Sequence, residues 1–286
     1  TRQAQYHKKY DSVNEEKLRK TIFMENKHEI HTHNQEYEKG LVSYSQGINK
    51  FTDMLYSEFI ATYTGFNPDN FEGATFISTA DSNPAYVNWT EKGAVTKVKD
   101  QKNCGSCWAF TLEGQEYLVN GKLISLSEQF LVDCSKSNSG CYGGLMAAAY
   151  DDIKKIGGID SEEKYPYEGV NGVSTVSGYT FLNDTQKALT EATAKKGPIA
   201  VGIQVLESFQ HYKSGVYYEP KCSDQRNDDN HAVLVAGYGT DKASGEDYYL
   251  VKNSWGTNWG EYGYIRMARN RDHDCGITTY ALYPQV

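Results

Sequence analysis

All six cysteines and all four tryptophans of the chain lie beyond Asn83, whereas the 82 residues before it hold four of the seven histidines and no cysteine. A chain divided in this way is not one uniform core. Its first part has to fold without covalent staples, and its second part carries all of the sulfur and indole chemistry. At about 150 residues per domain, 286 residues correspond to two globular units. The stretch GFNPDNFEGATFISTADSNPAY around Ser82 is rich in Gly, Asn, Asp, Ser and Pro and has no sustained period, so it reads as an extended connector open to cutting. The expected division is therefore 1–82 and 83–286.

Charge and hydropathy exclude several classes of function. A net charge of -8 without a basic cluster argues against nucleic acid as a partner, because phosphate binding needs concentrated Lys and Arg. No stretch approaches the roughly 18 apolar residues of a membrane span. The opening TRQAQYHKKY lacks the apolar core of a signal peptide, so any such segment is expected to have been removed or to lie outside this sequence.

In the first unit, Glu15, Arg19, Phe23, Asn26, Ile30 and Asn34 follow one another at steps of four or three, which is one face of a helix. Taken alone, such a stripe is an ordinary surface helix packing Ile22, Phe23 and Ile30 on a core. Gly47, Asn49, Phe51 and Asp53 follow in GINKFTD. The two patterns together resemble the two signatures of the propeptide of cathepsin L-like cysteine proteases.

The second unit carries matching chemistry. Gln101, Cys104, Gly105, Ser106, Cys107 and Trp108 resemble the nucleophile segment of the papain family, with His231 lying 124 residues after Cys107 and Asn253 lying 146 after it. DNHAVLVAGYG, KNSWGTNWGEYGY and GCYGG resemble the family's histidine, asparagine and substrate-binding segments. The resemblance covers essentially the whole chain. It implies an α+β fold of two packed halves, one mainly helical and carrying Cys107, the other a β-barrel-like sheet carrying His231 and Asn253. The runs AVLVAGYG and DYYLVKNSW fit strands of the second half. The propeptide would dock on the sheet-bearing half, its connector threaded backwards through the cleft, as an intramolecular inhibitor.

Three other readings compete. A redox dithiol of Cys104 and Cys107 belongs in a compact βαβ domain that this chain does not offer. A zinc site from Cys104, Cys107, Cys134 and Cys141 would leave its second pair too widely spaced. An inactive homologue kept for binding or storage is opposed by the intact Gln101, Cys107, His231 and Asn253.

Peptide hydrolysis at acid pH needs a nucleophile ionised there, and a free thiol titrates near 8.5. The expected activation comes from a helix beginning at Ser106 or Cys107, signalled by the apolar run Trp108, Ala109, Phe110 and Leu112, and from a protonated His231. By resemblance, His231 pairs with Cys107 and Asn253 fixes its tautomer. Trp255 shields that contact, and the Gln101 amide with the Cys107 N–H forms the oxyanion hole. Resemblance also implies disulfides Cys104–Cys141 and Cys222–Cys275, with no metal or cofactor. Disulfides imply the secretory route, toward a lysosome or a digestive lumen, and the sequons NWT at 88 and NDT at 183 are compatible with it. Protein and peptide substrates and a monomeric chain complete the expectation.

The family's specificity pocket corresponds here to Leu145, Met146, Gly202, Asp229, Ala232 and Tyr280, with Gly144 giving backbone hydrogen bonds to the substrate. An inward Tyr280 would make the pocket shallow and favour Leu or Val over Phe two residues before the scissile bond. Three features depart from the family pattern. The helix after the nucleophile is about four residues short before its Glu-Gly pair, roughly one turn. The loop after YPYEG lacks a cysteine to pair with Cys134, and Lys102 stands where a glycine usually follows the oxyanion glutamine. Acidification is expected to loosen the propeptide below about pH 5, as Asp53 and the helix carboxylates lose charge while His28, His31 and His33 gain it. Self-processing close to the Ser82–Asn83 bond should follow.

Overall fold

The structure, a computed structural model, describes residues 8–68, 74–76, 78–79, 82–111, 117–118, 121–164 and 177–285. The expected shortening of the helix at residues 112–114 lies outside the described residues, as does most of the loop after YPYEG.

The first unit is built on helix α1 (Val13–Glu38), which starts where Ser12 accepts from the Glu15 N–H and the Glu15 carboxylate returns to the Asp11 N–H. Its buried stripe is Ile22, Asn26 and Ile30, spaced four apart. The polar member of the stripe serves as a staple, because Asn26 Nδ2 donates to the carbonyls of Thr52 (2.9 Å) and Met54 (3.2 Å). Asn34 likewise exchanges two hydrogen bonds with the Gln46 backbone, fixing strand β1 (Tyr44–Gln46). Arg19 joins α1 to helix α2 (Tyr56–Tyr63) through a fork on Glu58 at 2.6 and 3.0 Å, and Asp53 takes Lys8 and Tyr10 at 2.9 and 2.7 Å. Strand β2 (Ala74–Phe76) lies in the connector.

In the second unit, β3 (Val87–Asn88) precedes a five-residue 3-10 helix at Cys107–Thr111, which is followed by α3 (Glu128–Cys134) and α4 (Met146–Ile156). Next come β4 (Gly178–Leu182), α5 (Gln186–Lys195), β5 (Ile199–Ile203), the short α6 (Glu207–Gln210) and β6 (Tyr212–Tyr217). The chain closes with β7 (His231–Thr240), β8 (Asp247–Lys252), β9 (Tyr264–Ala268) and β10 (Ala281–Gln285). The strands form one sheet in the order β1-β6-β9-β8-β7-β5-β10-β4-β2, with β3 paired to β7. Both terminal strands of that order, β1 and β2, come from the first 82 residues.

Two buried clusters follow from this layout. One lies on the sheet half and gathers Trp255, Trp259, Phe209 and Tyr212 with Tyr44, Phe51, Phe59 and Tyr63 of the first unit. The other lies among the helices and gathers Cys107, Trp108, Met146 and Tyr150 with Phe66. The first unit docks by backbone as well. Asn49 Nδ2 donates to the Gln210 carbonyl, Gln210 Nε2 returns to the Phe51 carbonyl, and the Gly47 N–H donates to the His211 carbonyl. Cys104 is bonded to Cys141 and Cys222 to Cys275, while Cys107 and Cys134 are free thiols. Cys104 is thereby removed from both the dithiol and the zinc readings. Among the described residues no cluster of His, Cys, Asp or Glu is arranged to hold a metal ion, and no helix is long and apolar enough to cross a membrane.

Candidate active site

Strand β7 begins at His231, paired with Ile203 of β5, and β8 ends one residue before Asn253, so the antiparallel register of neighbouring strands brings the two side chains together. His231 Nε2 lies 2.9 Å from Asn253 Oδ1. The same oxygen accepts the Ser254 N–H at 2.8 Å, which identifies it as the amide oxygen. An amide oxygen only accepts, so His231 carries its proton on Nε2. Nδ1 is left as a bare lone pair, buried and without a hydrogen-bond partner. The Trp255 ring stacks on the imidazole, with centroids 4.7 Å apart, and screens the His–Asn contact.

Cys107 is fully buried at the first position of its 3-10 helix. Burial pushes its thiol up to about 12, against the pull of the N–H groups of Ala232, Trp108, Cys107 and Gly65. Burial also pushes His231 down to about 4, against its bond to Asn253. In this covered state burial opposes charge on both groups, whereas the ion pair expected from the sequence concerns the open site. The physical reason is the segment Thr64–Phe66, which runs over the site. Desolvation of the charged forms then outweighs every local donor.

Gly65 makes that coverage possible. It lies so close to Gly105 that a methyl group on either residue would collide with a backbone carbonyl, Gly105 O in one case and Cys141 O or Thr64 O in the other. The Gly65 and Phe66 N–H groups both donate to Asn230 O at 3.1 Å, and Gly65 O accepts the Gly144 N–H at 2.9 Å. The Phe66–Gly144 bridge is parallel. The carbonyl of Tyr63 receives Gln101 Nε2 and Trp255 Nε1, each at 3.2 Å. Gln101 is held in place by Ser254, whose hydroxyl donates to Oε1 at 2.5 Å. Ser254, Tyr63, Gly65 and Phe66 were missed in the sequence. Ser254 alone had a signal, its place beside Asn253 in KNSW.

The Phe66 ring fills the pocket formed by the expected specificity residues. It meets Tyr280 edge-on at 4.9 Å and covers Gly202, where any Cβ would strike the ring. Met146, Ala232 and Tyr280 belong to the same buried cluster, and Leu145 packs on its flank. Tyr280 is fully buried, as the expectation of an inward ring required, and in this covered state it packs against the aromatic ring of Phe66. Asp229 lies behind the pocket. Its Oδ2 accepts from Thr279 at 2.7 Å, its Oδ1 is buried without a partner, and burial pushes its carboxyl up to about 8.

Residues 83–285 match the papain family cysteine protease domain, and residues 3–59 match the cathepsin propeptide inhibitor domain (I29). The chain belongs to the papain family of cysteine proteases. It is 48% identical to cathepsin L of Sarcophaga peregrina, covering 100% of this chain and 91% of the relative. It is 47% identical to a cathepsin L-like peptidase of Aedes aegypti, covering 99% and 91%. Among solved structures, the digestive procathepsin L 3 of Tenebrio molitor larval midgut superposes with a TM-score of 0.90 at 41% identity, covering 99% of this chain and 96% of that one. The chain is a cathepsin L-like cysteine peptidase carrying its I29 propeptide as an intramolecular inhibitor, and its fold is the papain-like fold of procathepsins.

Proposed function

We propose that Cys107 is the nucleophile of this cysteine peptidase, with His231 as its base and acid, Asn253 as the orienter of His231, and Gln101 with the Cys107 N–H as the oxyanion hole. The observation that carries this reading is the single hydrogen bond from His231 Nε2 to Asn253 Oδ1, which leaves Nδ1 bare and able to take a proton. When the segment 64–66 leaves, water re-enters and charge is no longer penalised. The Cys107 proton passes from Sγ to His231 Nδ1. The thiolate attacks the scissile carbonyl, and the resulting oxyanion takes the donors that Gln101 now gives to the Tyr63 carbonyl. Nδ1 then returns its proton to the leaving amine, and water hydrolyses the acyl-enzyme.

On this reading the chain divides at the connector into an inhibitory part, 1–82, and an enzyme, 83–286. The segment around Phe66 imitates a substrate bound in reverse. Its parallel bridge to Gly144 supports this, because a substrate placed for attack would run the other way. The pocket around Phe66 receives the side chain two residues before the scissile bond. Two disulfides and the exposed sequon at Asn183 support passage through the secretory route, ending in a lysosome or a digestive lumen, and the enzyme acts as a monomer on protein and peptide substrates.

The test is a fluorogenic peptide assay at pH 5 before and after acid treatment, run beside Cys107→Ser. Activity that appears only after treatment, with loss of both processing and activity in the variant, is expected. Self-processing of pure Cys107→Ser at pH 4 to 5 would refute the nucleophile, and no activity in either state of the wild type would favour an inactive homologue.

A further inference from the structure

Beyond the cleft, the connector makes a second attachment, at the far end of the sheet. β2 pairs in parallel with β4 over Ala74–Phe76, adding a strand to an edge that the rest of the sheet leaves open. The Phe76 ring stands edge-on to Tyr283 of β10 at 6.5 Å. Two residues on, the chain meets Glu191 of α5, whose side chain is completely buried. The Ser78 hydroxyl donates to Glu191 Oε2 at 2.6 Å and the Thr79 hydroxyl to Oε1 at 2.5 Å, while the Thr79 N–H reaches both oxygens at 3.1 and 2.9 Å. Lys195, one helical turn along α5, joins Glu191 Oε1 and the Thr79 hydroxyl, each at 3.1 Å.

These contacts are made to β4, β10 and α5, not to Cys107 or His231. They form a complete recognition site for a short extended peptide: a strand edge that pairs backbone to backbone, a ring contact, and a carboxylate that counts hydroxyls and one N–H. We propose that the β4 edge and Glu191 form a peptide-docking site, separate from the catalytic cleft, whose occupant is the connector segment 74–79 and which holds that segment after the chain is cut downstream of it. The proposal rests on division of the chain at the connector and not on the catalytic roles, so its failure would leave those roles untouched.

The docked segment does not depend on the acid-sensitive contacts of α1. Hydrogen bonds from Ser78 and Thr79 hold the Glu191 carboxyl down at about 2, with Lys195 acting in the same direction. A carboxyl whose value is lowered on docking stabilises the docked state above its ordinary range, and that stabilisation is lost only as pH falls through the lowered value. The attachment therefore persists at pH 4 to 5, where the propeptide helices are expected to let go.

The experiment uses enzyme matured by acid treatment of the full chain, alkylated at its reactive thiol so that it cannot digest the probe, and dialysed exhaustively until mass spectrometry finds no retained fragment of residues 74–79. The probe is a fluorescent peptide of residues 72–82, EGATFISTADS. Fluorescence anisotropy at pH 4.5 and pH 7 should report saturable binding at both values. A probe carrying Ser78→Ala and Thr79→Val should bind at least about tenfold more weakly, since loss of charge-assisted hydrogen bonds costs more than about 1.4 kcal/mol. Glu191→Gln enzyme should show the same loss with the unaltered probe. Because the altered probe tests the clamp without touching the enzyme, misfolding of Glu191→Gln cannot hide the answer. No binding of the natural probe, or equal binding of the natural and altered probes, would overturn the proposal.

Discussion

The carbonyl oxygen of Tyr63 accepts the side-chain amide of Gln101 at 3.2 Å, so the propeptide occupies with a main-chain oxygen the donor assigned to the reaction's oxyanion. On the roles proposed above, the inhibitor thus takes the oxyanion donor without supplying a bond to cleave. Replacing Gln101 by Ala should lower kcat/KM of the matured enzyme by about 10²–10³, almost wholly in kcat, because the donor acts on charge that develops in the transition state. Steady-state kinetics on a peptide substrate check this. An equal loss carried in KM would mean that Gln101 only positions the ground state.

The neutral Cys107–His231 pair predicts a silent thiol. With Cys107 pushed up to about 12 and His231 down to about 4, the latent chain holds an uncharged pair between those values. Iodoacetamide should therefore alkylate Cys107 of the latent chain at least about 100-fold more slowly at pH 7 than that of the matured enzyme, since the thiolate is the reacting species. Mass mapping separates Cys107 from Cys134, which is partly exposed and serves as an internal control.

Asp229 makes stability depend on pH with a definite sign. Its carboxyl is raised to about 8 in the folded chain, so the fold binds a proton that the unfolded chain has already lost at neutral pH. The penalty is absent below about pH 4, grows as pH rises, and is complete above about pH 8. Asp229→Asn in the Cys107→Ser background should melt several degrees higher than its parent at pH 8, with the difference shrinking toward zero at pH 4. Thermal unfolding at the two pH values reads this directly.

Phe66 sets an expectation for both inhibition and specificity. Removing its buried ring should cost the propeptide about 3–5 kcal/mol of attachment, the usual price of Phe→Ala in a core. Phe66→Ala should therefore mature at a higher pH than the wild type, followed by gel analysis across a pH series. The same pocket should accept Phe at least as well as Leu two residues before the scissile bond, and a peptide library scanned at that position compares their kcat/KM.

Lys102 has φ of +53°, the left-handed region that glycine enters without strain. Its N–H is held there by Asp100 Oδ1 at 3.0 Å. Lys102→Gly should stabilise the chain by about 1 kcal/mol, a rise of a few degrees in Tm, because the cost of a β-carbon in that region is about 1–2 kcal/mol less the added freedom of the unfolded chain.

The residues of the His–Asn pair, the nucleophile segment and the stapling asparagines of α1 were legible because each sits in a local pattern of distinctive residue types. The covering of the cleft was not. Tyr63, Gly65 and Phe66 form no motif, and their placement depends on two glycine backbones from distant parts of the chain passing closer than any side chain allows. The desolvation of Cys107 in the covered chain was not legible for the same reason, since a helix dipole can be inferred locally while desolvation depends on what lies above. Glu191 belongs to no motif, and its partners Ser78 and Thr79 lie 113 and 112 residues away in sequence.

The sheet begins with β1 and ends with β2, and both strands lie within the first 82 residues. A chain started at residue 83 would fold with β6 and β4 each presenting a row of unpaired N–H and C=O groups, the template by which separate molecules add strand to strand and precipitate. The propeptide is therefore also a pair of edge covers. Deleting residues 1–82 bares both edges of the sheet at once, and a chain expressed from residue 83 is expected to self-associate more than the full chain.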